Sequence, residues 1–239
     1  MISRASPEFP GLLGECICAL SRHFVGLYTE LPPPGEAREG RSKLDPVYVE
    51  VTEHRDGPTP EARRKYSSCA DQLHAILDRL GITQHWVNRG AQHAYGAAQM
   101  TKLEPFDPEG NPGGCPAAHW AHPHEVPPPG SLCLIWTGGN DAHALVVLGP
   151  GSDTEHLLTA NYGAGGMAPA TRPGCNLADS PLSKDERGYL HIGGSHRQLR
   201  SIITPAALVP YLGEIDLTGA KLPGEIIDAV GAAKWTDGP

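Results

Sequence analysis

Between residues 132 and 161 the chain carries three apolar runs joined by very short connections, and this limits the fold more than any other feature. Leu132, Cys133, Leu134, Ile135 and Trp136 form the first run, 142–148 the second and 156–161 the third. Gly138, Gly139, Asn140 and Asp141 separate the first two; Gly149, Pro150, Gly151, Ser152 and Asp153 separate the second from the third. Gly supplies positive φ, and Asn, Asp and Ser supply local hydrogen bonds, so both stretches are turn chemistry. A parallel pair needs a crossover of roughly a dozen residues or more. The three runs are therefore expected to form an antiparallel meander.

The best-marked helix lies upstream, over 66–81. Ser68 and Asp71 fit a capping pattern, with Ser68 as N-cap, and Gly81 supplies the stop. Leu73, Ile76, Leu77 and Leu80 recur at helical spacing and define a buried face. Cys69 falls on that face in the first turn, where unpaired backbone N–H groups and the positive end of the helix dipole favour the thiolate. Taken alone, a cysteine in this position is an ordinary packing residue.

His143 sits inside the second apolar strand and shares a face with Leu145 and Val147. A hairpin symmetric about Ser152 pairs Leu148 with His156 and sets His143 directly opposite Asn161, close enough for imidazole and carboxamide to hydrogen-bond. The order is then a helix-capped cysteine, a strand histidine and a strand asparagine. A thiolate can attack a carbonyl, a histidine can take and return the proton, and an asparagine can fix the ring's tautomer. The Cys69 N–H is placed to stabilise the oxyanion.

These pieces resemble the NlpC/P60 and CHAP branch of the papain-like cysteine peptidases. The matching residues are Tyr66, Ser67, Ser68, Cys69, Ala70 and Asp71; then Pro129, Gly130 and the 131–136 run ending in Trp136; then His143 and the apolar residues up to Gly149. The likeness covers about 58–165. Ser68 stands where the family commonly has Asp, and Ser131 replaces the usual Asp after Pro-Gly. The resemblance implies an α+β, papain-like fold with the catalytic-cysteine helix packed on a small antiparallel sheet. It also implies Cys69 as nucleophile, His143 as base and Asn161 as orienter, with no cofactor. The implied substrates are peptide or amide bonds of peptidoglycan, as for phage lysins, tail-associated lysins and antibacterial effectors. The same thiol chemistry serves deamidation or acyl transfer.

Two other readings compete. Cys115, His119, His122 and His124 concentrate zinc-ligand types, although Pro123 limits any helix there and no His-Glu-x-x-His motif is present. The papain-like scaffold can also act as a non-catalytic binding or phage structural module.

Composition narrows the partners. The formal net charge of −8 argues against nucleic acid and gives no pull towards anionic membranes. No apolar run is long enough for membrane insertion, and the first ten residues lack the apolar core of a signal peptide. The expectation is synthesis in the cytoplasm, with delivery to a cell wall by lysis, a phage particle or a secretion machine. The six cysteines at 16, 18, 69, 115, 133 and 175 are irregularly spaced, which does not describe a disulfide framework. Cys16, Cys18 and Cys133 read as packing residues.

Along the chain, 11–28 reads as a helix, 46–51 as a strand, 59–66 as a short helix, 91–103 as weakly helical and 162–185 as mostly loop. A late strand is expected over 198–203, a short helix over 205–212 and a further one over 225–234. The expected organisation is an N-terminal extension, 1–57, belonging to the same domain as a core over 58–212, and a C-terminal extension over 213–239.

Overall fold

In the computed structural model, which describes residues 3–24, 29–30, 41–42, 69–87, 100–138, 141–163, 174–218 and 220–224, seven strands form one antiparallel sheet that curls until it closes. In chain order the elements are α1 (Phe9–Phe24), a small ribbon of β1 (Thr29–Glu30) and β2 (Arg41–Ser42), and α2 (Cys69–Arg79). The strands β3 (Ala118–Trp120), β4 (Leu132–Gly138), β5 (Asp141–Pro150), β6 (His156–Gly163), β7 (Gly174–Lys184), β8 (Leu190–Ile192) and β9 (Gln198–Ile203) follow, then α3 (Pro205–Leu208) and one 3-10 turn (Val209–Tyr211). The strand order is β3-β9-β4-β5-β6-β7-β8, and β8 also pairs with β9 through His191 and Gln198. This is an α+β protein whose β4 to β9 close into a barrel, with β3 laid along the rest of β9.

Alternation along the strands separates two cores. Cys133, Ile135, Leu145, Val147, Leu157, Leu190, Ile192, Leu199 and Ile202 pack together on the inner face. Leu132, Leu134, Ala144, Val146, Leu148 and Ala160 pack outward against the helices. Strands β4 and β5 are thus apolar on both faces, which is why their sequence runs are continuous rather than alternating. On the helix side, Phe9, Leu13, Ile17, Leu20 and Phe24 of α1 join Leu73, Ile76, Leu77 and Leu80 in one cluster. The segment before α2 and the core after it therefore share a hydrophobic interior. Arg4 strengthens the link by donating to the carbonyls of Leu212 (2.9 Å) and Gly213 (2.8 Å).

Helix α2 is buried nearly all round: Gln72 and His74 are as inaccessible as Leu73 and Ile76. Its end is a Schellman motif. Gly81, with φ +70°, donates to Asp78 at 2.8 Å, and Ile82 donates to Leu77 at 3.2 Å while the side chains of both are buried. A β-carbon at Gly81 would meet the backbone of Glu214 at 2.5 Å. The chain past 212 returns across this helix end: Asp216 N–H donates to the Arg79 carbonyl, and the buried Arg79 guanidinium pairs with Asp216 and reaches the Thr218 carbonyl at 2.6 Å.

Helix α3 forms where Thr204 caps it: the Thr204 hydroxyl accepts from Ala207 N–H at 3.3 Å, and Pro205 fits the first turn. The expected loop over 162–185 needs correction. Its second half is β7, paired with β6 from Gly163 opposite Gly174 to His156 opposite Pro181. The Ser68 cap, the 46–51 strand, the 59–66 and 225–234 helices and most of 91–103 lie outside the described residues. No described helix is long and apolar enough to cross a membrane.

Candidate active site

Helix α2 packs across β5 and β6, the two strands that carry His143 and Asn161. Cys69 is the first residue of that helix and is half-buried against the helix-side core. Among the described cysteines the other four, Cys16, Cys18, Cys115 and Cys133, are buried. Burial pushes the Cys16 and Cys115 thiols up to about 12 and raises those of Cys18 and Cys133 as well. These four are protonated packing residues. Cys18 illustrates this, its sulfur lying 3.7 Å from the Leu148 carbonyl and 3.8 Å from that of Val147.

The register of the β5–β6 hairpin differs from the symmetric one. Asn161 lies opposite Leu145, not His143, and His156 does not pair with Leu148. The shift has a local cause. Leu148 is an extra residue between the Val147–Thr159 and Gly149–Leu158 pairs, and Gly149 takes φ +144° at this bulge. Because 143 and 145 share a face, His143 and Asn161 remain diagonal neighbours, and the imidazole is hydrogen-bonded to the Asn161 side chain. The His143 Nε2 is buried and has no hydrogen-bond partner.

Burial drives the His143 pKa down to about 4; the nearby Arg197 guanidinium lowers it further, and the Asn161 hydrogen bond opposes both. At neutral pH the ring is an uncharged base. Arg197 is itself buried, at the entrance to β9. Sequence reading missed it, because a lone arginine before a short strand carries no motif.

His143 shares the barrel face with Leu145 and Val147, whereas Cys69 packs on the helix-side core. Further along the same barrel face, Thr159 and Ser180 hydroxyls meet at 2.9 Å. The structure thus places His143 and Asn161 together on the barrel face of β5 and β6, and Cys69 on the opposite, helix-facing side of the same strands. A groove of 720 Å³ between α1 and the prolines before Gly130, lined by Cys18, Arg22, Pro129 and Lys221, contains none of the three.

The competing zinc reading does not find its ligands gathered among the described residues. His119 Nε2 sits 2.7 Å from Glu125 Oε1 and its ring stacks on His122, while Glu125 also accepts from the His122 N–H at 2.9 Å. Burial alone would raise the Glu125 carboxyl, but these hydrogen bonds hold it below its usual range. Cys115 is buried in the helix-side core, and His124 takes φ +65° with its ring against Gly188. Among the described residues no group of three or more His, Cys, Asp or Glu side chains is placed to hold a metal ion. No family model, curated protein or solved structure matches this chain.

Proposed function

We propose that this protein is a cysteine hydrolase, a peptidase or amidase of the papain-like NlpC/P60 or CHAP kind, acting on peptide or amide bonds of peptidoglycan. The observation that carries the reading is the state of His143: a neutral imidazole, oriented by Asn161, with Nε2 buried and unpartnered, on strands crossed by the helix that Cys69 begins. An unsatisfied buried nitrogen of this kind is costly in a purely structural histidine and useful in a base.

The proposed reaction requires Cys69 to reach the imidazole from the helix-facing side of β5 and β6; Nε2 then takes the Sγ–H proton and the thiolate adds to the substrate carbonyl. Backbone N–H groups at the start of α2 stabilise the oxyanion. Collapse breaks the C–N bond, and the imidazolium returns its proton to the leaving amine. Water then hydrolyses the thioester, its proton passing through His143 and back to the sulfur. Arg197 destabilises the imidazolium, so the ring gives the proton up readily. The implied substrate partner is the cell-wall peptide; the net charge of −8 argues against nucleic acid.

The test is digestion of purified peptidoglycan and of its isolated stem peptides by wild type, Cys69→Ala and His143→Ala, read by mass spectrometry of the released fragments. New amine and carboxylate termini with wild type only support the reading. Cleavage that persists in Cys69→Ala excludes thiol catalysis.

A further inference from the structure

On the outside of the barrel, Arg200 lies between two indoles. Its guanidinium is 5.4 Å from the ring centre of Trp120 and 5.4 Å from that of Trp136. The backbone explains how it gets there. Leu134 pairs with Ser201 and Ile135 with Leu199, so Arg200 is the extra residue of a bulge in β9. A bulge re-aims one side chain while the ladder continues on either side. Trp120 comes from β3, opposite Ser201, and Trp136 from the end of β4, opposite Gln198. The Arg200 Nε is fixed by Glu104 at 3.0 Å.

The two indoles remain 48% and 42% exposed, which makes them two of the most solvent-accessible large apolar side chains described. Stacking against Arg200 accounts for one side of the Trp120 ring and leaves broad apolar surface in water. A groove of 420 Å³ runs beside the two indoles, lined also by Ala121, Gln198, Leu199, Arg187 and Tyr189. Arg187 stacks on Tyr189 at 5.3 Å and lies 3.5 Å from Asp185.

We propose that this groove binds a neutral saccharide, with a pyranose ring laid on Trp120. A pyranose has apolar C–H faces and a rim of hydroxyls. The groove offers the matching parts: rigid aromatic planes for the faces, and guanidinium, carboxamide and phenol groups for the rim. Charge decides against a polyanion. Each arginine is already matched by a carboxylate, Arg200 by Glu104 and Arg187 by Asp185, so the groove has little net attraction for phosphates. The overall charge of −8 points the same way. None of these residues belongs to the proposed catalytic set, so binding is independent of turnover.

The experiment is a titration of full-length Cys69→Ala protein with chitotriose and with cellotriose, followed by tryptophan fluorescence and by calorimetry. Saturable binding of either sugar is expected, with a Kd of about 1 mM or tighter. It should change little between low and high salt, because no counterions are released. Trp120→Ala and Arg200→Gln, each checked for native circular dichroism, should weaken it by about tenfold or more. Absence of saturable binding to both sugars would overturn the proposal. So would unchanged affinity in Arg200→Gln, or a preference for a salt-sensitive oligothymidylate over the sugars.

Discussion

Asn161 lies opposite Leu145, yet its side chain hydrogen-bonds to His143, two positions along β5. The Nε2 of the imidazole stays buried without a partner. Burial first, then Arg197 and Asn161 with opposite sign, set the protonation behaviour on which the following expectations rest.

The two neighbours of His143 act on its pKa with opposite sign. Removing Arg197 charge by Arg197→Gln should raise the His143 pKa above about 4, and Asn161→Ala should lower it. If His143 is the base, the acid limb of kcat/KM moves in the same directions, upward for Arg197→Gln and downward for Asn161→Ala. Asn161→Ala should also lower kcat by roughly ten- to a thousandfold, through loss of ring orientation. A histidine NMR titration reads the pKa independently of activity; equal pKa values in both variants and wild type would contradict this assignment.

His143 also ties stability to pH. Its folded pKa, about 4, is below the ordinary 6.5, so between these values the unfolded chain binds the proton and the folded one does not. The stability it confers is complete above 6.5 and is lost as pH falls towards 4, by on the order of 3 kcal/mol at most. Urea midpoints of wild type and His143→Gln should converge as the pH is lowered through that window. Parallel curves would mean that the ring is not buried in its neutral form.

The thiols separate by position. At pH 7 iodoacetamide should label Cys69 well before Cys16, Cys115 and Cys133, whose burial raises their pKa values and hides them. Labelling of the buried three should follow global unfolding and rise with urea. Site-mapped mass spectrometry gives the order, and faster labelling of Cys133 than Cys69 would overturn it.

Gly14 and Gly130 hold two segments at backbone contact. A β-carbon at Gly14 would lie 2.8 Å from the Pro129 carbonyl oxygen, and one at Gly130 would lie 2.5 Å from the Gly14 α-carbon. Gly130 also has φ +83°. Gly14→Ala raises intrinsic helix propensity in α1, yet it should destabilise the protein by roughly 1–3 kcal/mol, because overpacking outweighs the propensity gain of about 1 kcal/mol. Thermal unfolding of the variant measures the net sign.

The parts legible in the sequence were those with strong local signals. The α2 apolar face, its Gly81 stop and the β4–β5–β6 meander depend on periodicity and turn chemistry within a few residues. That His143 and Asn161 share a face survived a wrong register because the actual shift is even and alternation preserves parity. The bulge at Leu148 was hidden, since an extra leucine in an apolar strand looks like one more strand residue. Strand β7 was hidden for a different reason: Cys175, Leu177, Pro181 and Leu182 among polar residues give no clean alternation, and the strand exists through pairing with β6. The Cys115 to His124 ligand types were visible, but their separation into a buried thiol and a His119–Glu125 pair depends on β3 joining β9.

Strand β9 shares one of its edges between two neighbours, β8 at Gln198 and β3 from Ser201 to Ile203. The barrel is therefore a hoop fastened by a single residue-wide clasp, with the fastened strand separately riveted at its far end. Undoing the clasp at His191 and Gln198 would slacken the hoop without releasing β9, which stays anchored to β4 and β3. Amide protons along β8 should then exchange with solvent before those of β5, giving the barrel a weak side opposite the wall that carries His143 and Asn161.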